Sequence, residues 1–141
     1  MTKVSPYLTL NGNTEEAFNF YRSVFGGEFE TVMRWRDNPQ CEGMSDEDKN
    51  KIMHIAIIID ESVLMGSDFV SMNGEQFVQG NAYTVAVMPD SREESDRLFA
   101  GLAAGGNVFM PMTEMFWGGY FGAFLDKFGV KWLINQDTRN S

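Results

Sequence analysis

The feature that most restricts what this chain can fold into is a repeat of its own element order. Residues 4–35 carry a short strand-like run, an Asn-Gly-Asn turn, a helical pattern over 14–25, the pair Gly26-Gly27, and an alternating run over 28–36. Residues 82–116 pass through the same order. A strand-like run over 82–88 is followed by Pro89-Asp90-Ser91, a helical pattern over 92–104, Gly105-Gly106, and alternation over 107–116. An offset of 78 superposes Glu15-Glu16 on Glu93-Glu94, Phe20-Tyr21 on Leu98-Phe99, and Gly27 on Gly105. Two copies are too few for a solenoid. They predict two half-domains packed about a pseudo-twofold axis.

Both helices have legible ends. Ser91 followed by Glu94 fits a capping box, and Asn13 followed by Glu16 offers the same geometry with asparagine as cap. Ala17, Phe20, Tyr21, Val24 and Phe25 form one apolar stripe, and Leu98, Phe99, Leu102 and Ala103 form the other. Gly26 and Gly105 supply left-handed residues to stop them. The rest reads as strand: 52–60 and 63–67 in the first half, 120–125 and 130–135 in the second. Each half therefore spells β-α-β-β-β. The expected division is a first module over 1–70, a linker over 71–80, a second module over 81–136 and a tail over 137–141, fraying from Gln136. The polar, acid-rich connection over 37–51 is long for a tight domain and is expected to be mobile.

Composition narrows the partners. At 141 residues and 43% apolar, with Phe 12 and Trp 3, the chain can build a core. Its formal net charge of −9 argues against nucleic acid and against an anionic membrane surface, both of which demand Lys and Arg. One cysteine, Cys41, excludes an internal disulfide, and one histidine, His54, excludes any site that needs two. No apolar run approaches the ~20 residues of a membrane span. The start of the chain shows no signal-peptide core, so a cytoplasmic protein is expected.

Specific strings carry a resemblance. They are Pro6-Tyr7-Leu8-Thr9-Leu10-Asn11-Gly12-Asn13 running into Glu15-Glu16-Ala17-Phe18, then Val24-Phe25-Gly26-Gly27-Glu28, Lys51-Ile52-Met53-His54 and Leu64-Met65-Gly66-Ser67-Asp68. Gly105-Gly106, Phe116-Trp117-Gly118 and Asp126-Lys127-Phe128-Gly129-Val130 with Trp132 and Asn135 complete the set. Together they resemble the PhnB-like branch of the vicinal-oxygen-chelate superfamily, which includes glyoxalases, bleomycin-resistance proteins and dioxygenases. The resemblance implies an α+β fold of two βαβββ modules, with a cup-shaped curved mixed sheet and helices outside. It also implies a small-molecule cavity and a homodimer.

Metal enzymes of that superfamily place His, Gln or Glu on the first and last strands of each module. Here those strands offer Pro6 and Tyr7, Leu64-Met65-Gly66, Ala82-Tyr83-Thr84 and Trp132-Leu133-Ile134. None supplies a usual side-chain ligand, so neither metal nor other cofactor is expected. Such sequences have also been named as a ubiquinone-pathway methyltransferase. The glycine-rich turn that commonly holds S-adenosylmethionine is missing, as are Gly-x-Gly-x-x-Gly and Gly-x-x-x-x-Gly-Lys.

Five residues stand out as ligand contacts, each with a plainer alternative. His54 lies on a strand in phase with Ile52, Ala56 and Ile58, and could bind or exchange a proton with a ligand; alternatively it is a half-buried, hydrogen-bonded histidine. Asp68 ends the next strand and could orient the imidazole, or simply serve a turn. Glu114 is in phase with Val108, Met110, Met112 and Phe116, where a carboxylate must be paired or have a raised pKa. Alternatively the strand bends first and leaves it solvated. Trp117 and Tyr120 flank Gly118-Gly119 and could wall a cavity, or fill core around a hairpin. The reading is a metal-free binding protein for a small apolar or aromatic molecule. The alternative is a superfamily lyase, isomerase or dioxygenase acting through His54, Asp68 and Glu114.

Overall fold

A computed structural model of the chain describes residues 1–139 and divides between Val78 and Gln79 into two compact units. The first unit runs β1 (Tyr7–Leu10), α1 (Thr14–Phe25), β2 (Glu28–Arg34), a short helix α2 (Asp46–Lys49), β3 (Ile52–Ile59) and β4 (Ser62–Asp68). The second runs β5 (Val85–Val87), α3 (Arg92–Ala103), β6 (Asn107–Met115), β7 (Gly119–Leu125) and β8 (Lys131–Asp137). Each unit is therefore a βαβββ module holding one four-stranded mixed sheet. The strand orders are β1-β4-β3-β2 and β5-β8-β7-β6, with the first and last strands of each unit paired parallel and all other pairs antiparallel. This is the architecture that the repeat predicts.

The helix of each unit covers one sheet face. In α1 the buried residues are Thr14, Ala17, Phe18 and Tyr21, at i, i+3, i+4 and i+7. Ala17 and Tyr21 of the expected stripe are buried, Thr14 and Phe18 join them, and Phe20, Val24 and Phe25 are half-buried. A side chain at Gly66 of β4 would run into the Phe18 ring, so the missing Cβ is what lets the helix approach the sheet. In α3 the buried set is Ser95, Leu98 and Leu102, and Phe99 stacks edge-on against Phe124 of β7, with ring centroids 5.1 Å apart.

The caps differ from expectation in an instructive way. Ser91 does cap α3, accepting the Glu94 N–H at 3.1 Å, but the Glu94 carboxylate pairs with Arg97 instead of reaching back. Asn13 makes no side-chain cap on α1. The Thr14 N–H donates instead to Asp68 Oδ1, at 3.0 Å, and the other Asp68 oxygen accepts from Ile52 N at 2.8 Å. A carboxylate at the positive end of a helix is favourable for charge as well as hydrogen bonding. Gly26 stops α1 with φ 86° and donates to Arg22 O.

Two segments carry more structure than expected. The 37–51 connection contains α2, capped by Ser45, and two 3₁₀ turns, with Asn38 accepting from Gln40 N and both Arg34 and Arg36 donating to Asn50. Local side-chain acceptors supply what a tertiary core does not. The fraying expected from Gln136 is not observed at that residue. Gln136 and Asp137 belong to β8, paired with Tyr120 and Gly119, while positions 140 and 141 lie outside the described residues. Among the described residues, no helix is long and apolar enough to cross a membrane.

Candidate functional site

Strand alternation sorts the candidate residues by face. In the first unit Gly66 and its partner Ile55 look toward α1, so His54, Ala56 and Met65 stand on the face without a helix. Met33 of β2 is directly across from His54, and Tyr7 of β1 is directly across from Met65. Tyr7 reaches over to His54: its hydroxyl lies 3.2 Å from Nδ1, and the two rings stack at 5.6 Å. Both are partly open to solvent. The result is a polar, stacked aromatic pair between two flexible thioethers, a surface suited to an apolar ligand with one hydrogen-bonding group. The partner of the imidazole is therefore Tyr7, not Asp68. Asp68 is buried on the helix side, and its two oxygens are engaged by backbone N–H groups.

In the second unit Gly122 faces Phe99 and Met112 on the helix side, so its neighbours Phe121 and Ala123 lie on the helix-free face, with Leu133 and Asn135 of β8. Trp117 also lies there. Its ring meets Phe121 edge-on at 6.3 Å and covers Gly119, where any Cβ would collide with it. The same position is close to Asn135 Oδ1, which is buried without a hydrogen-bond partner among the described residues.

Glu114 and Tyr120 are directly opposite each other, but on the helix side of that sheet. Glu114 pairs with Arg92 of α3, and the Arg92 guanidinium lies over the Tyr120 ring at 4.1 Å. The Tyr120 hydroxyl donates to Asp96 at 2.6 Å, and that negative acceptor holds the phenol above its ordinary pKa. Glu114 thus finds its charge partner on α3 and remains largely exposed. The register of β6 against β7 shifts twice before it, between Val108 and Met110 and between Met110 and Thr113. Each shift moves the register by one residue, so Met110, opposite Ala123, turns to the helix-free face, while Val108, opposite Phe124, stays on the face of Glu114.

Tyr7 and Gln136 were passed over in the sequence. Tyr7 was read only as a non-ligand on the first strand, and its partner is 47 positions away. Among the described residues, no three His, Cys, Asp or Glu side chains gather where they could hold a metal ion. The donor set does not fit the metal centre of the superfamily's enzymes.

Two mixed sheets, each built as βαβββ with one helix-covered face, define the glyoxalase/bleomycin-resistance fold. A glyoxalase/bleomycin-resistance/dioxygenase domain from Frankia sp. superposes with a TM-score of 0.67 at 13% identity, covering 100% of this chain and 96% of that one. The chain belongs to the PhnB-like family whose model is described as 3-demethylubiquinone-9 3-methyltransferase, which it matches over residues 2–135. It is 31% identical to Protein YjdN of Escherichia coli K12, over 94% of this chain and 93% of that protein. Among solved structures, protein PA1353 from Pseudomonas aeruginosa shares 36% identity with a TM-score of 0.86, covering 97% and 98% of the two chains. A PhnB protein from Bacillus cereus shares 26% identity with a TM-score of 0.74, covering 96% and 99%.

Proposed function

We propose that the chain is a metal-free binding protein for a small, largely apolar or aromatic molecule, held on the helix-free face that carries His54. The observation that carries this reading is the Tyr7–His54 pair, stacked, hydrogen-bonded and partly open beside Met33 and Met65. The second unit offers a face of similar character, with Trp117, Phe121 and Leu133 around the Asn135 amide. The enzyme alternative requires free carboxylates. Asp68 serves two backbone donors and Glu114 serves Arg92, which favours binding over acid–base chemistry. A methyltransferase reading gains no support from the chain, because Asn11-Gly12-Asn13 is only a turn into a helix.

A nitrogen-15 NMR titration with indole, phenol and benzoate tests the proposal. At least one should shift the amides around Tyr7, His54 and Met65 in a saturable way. The His54→Ala variant should bind it at least ~10-fold more weakly, with an unchanged thermal midpoint. Absence of saturable binding by all three probes, or equal binding by the variant, would count against it.

The same reading includes a homodimer. The edge strand β6 leaves Val108, Phe109 and Met110 exposed, and Phe116 follows it. An apolar edge of this kind calls for cover. Sedimentation at micromolar concentration should give a species of about twice 15.9 kDa. A single species at the monomer mass would remove the dimer.

A further inference from the structure

We infer that the corner between the N-terminus of α3 and the end of β8 is a second small-molecule site, built for an α-amino acid or a similar zwitterion. A pocket of about 450 Å³ opens there, lined by Asp90, Ser91, Arg92, Glu114, Gln136 and Thr138. It involves the face of the second sheet opposite Trp117, so it is independent of the function proposed above.

The repeat itself shows what this corner does when it is filled. In the first unit the end of β4 supplies Asp68, whose carboxylate takes the first N–H of α1 and a strand N–H as well. In the second unit the last strand brings Gln136 to the corresponding corner, an amide where the first unit has a carboxylate. Ser91 serves the Glu94 N–H, but the N–H groups of Arg92 and Glu93 have no acceptor within the helix. A carboxylate from a ligand fits the vacated role, with the positive end of a twelve-residue helix behind it.

The other lining groups ask for a donor. Gln136 is 5% exposed, and its Oε1 is buried with no hydrogen-bond partner among the described residues. Buried acceptors are rarely left so in folded proteins. Gln136 lines the pocket, and the terminal torsion of glutamine is soft, so its amide can present that oxygen to a donor there. Asp90 adds an exposed carboxylate to the same lining, beside the Glu114 carboxylate that Arg92 already holds. A simple anion would meet both of them, and a simple amine would leave the helix N–H groups unserved. A molecule bearing carboxylate and ammonium on one carbon satisfies both ends.

The test is a nitrogen-15 NMR titration of the intact chain with L-serine, lactate and ethanolamine. L-serine should shift the Arg92 and Glu93 amides and the Gln136 side-chain amide, saturating with a dissociation constant of about 1 mM or tighter. Lactate and ethanolamine should bind at least ~10-fold more weakly. Gln136→Leu should lose most of the L-serine affinity. Because Gln136 is buried, Asp90→Asn serves as a second variant on an exposed position, and should also weaken L-serine binding. No saturable shift with L-serine, lactate binding as tightly as L-serine, or unchanged affinity in both variants would each overturn the assignment.

Discussion

Replacing Asp126 by alanine is expected to lower stability by about 4 kcal/mol and the thermal midpoint by roughly 10–15 °C. Asp126 is 3% exposed in the turn between β7 and β8. One of its oxygens accepts from Phe128 N at 2.8 Å and Val130 N at 3.0 Å, and the other accepts from Trp132 Nε1 at 2.8 Å. The substitution withdraws one charged acceptor from three donors at once, two of them in buried bonds. Hydrogen bonds to charged groups contribute about 1.5–3 kcal/mol each, and turn N–H groups recover part of that from water. Trp132→Phe, which removes only the indole donor and some volume, should cost less than half as much. Urea unfolding followed by near-ultraviolet circular dichroism reads both. A change below about 1 kcal/mol for Asp126→Ala would show that water replaces the carboxylate.

The second large effect falls on the paired glycines. Gly26-Gly27 and Gly105-Gly106 look alike in sequence, yet the two members of each pair do different work. Gly26 caps α1 with φ 86°, and Gly105, with φ 76°, follows the Ala104 cap of α3 in the turn that Gly106 N closes on Ala103 O. Gly27 and Gly106 have no such φ. A Cβ there would overlap a backbone oxygen of the neighbouring strand, Ile58 O in the first unit and Leu125 O in the second. A side chain can turn away from such a clash, but a paired strand cannot. Gly27→Ala and Gly106→Ala should therefore each cost about 3 kcal/mol, more than the ~1–2 kcal/mol for alanine at the left-handed positions. Chemical denaturation of the four single variants decides it, and the reverse order would refute the packing role.

The order of elements was legible because it repeats, and because Ser91, Gly26 and Gly105 punctuate it locally. What escaped was set by contacts far along the chain. Asn13 has the right residue type for a cap, but Asp68, 54 positions beyond Thr14, takes the first N–H of the helix. Counting in twos through β6 put Glu114 on the face of Val108, which is correct, but it could not show that α3 brings Arg92 to that face as its charge partner. Tyr7 gave no signal, since its bond to His54 exists only once β1 has joined β4 beside β3. His54 itself stood out by being the sole histidine on an otherwise apolar strand. Gln136 was read as fraying because its polar neighbours Asn135 and Asp137 masked the continuation of a strand whose inward residues alternate Trp132, Ile134, Gln136.

The account rests on ligand binding at the His54 face without a metal. The most direct measurement is the NMR titration with the best binder among indole, phenol and benzoate, on protein purified without chelator and again after chelator treatment. The account predicts the same saturable shifts around Tyr7 and His54 in both samples, with metal content far below one ion per chain. Binding that disappears on chelation, together with stoichiometric metal before it, would contradict the account.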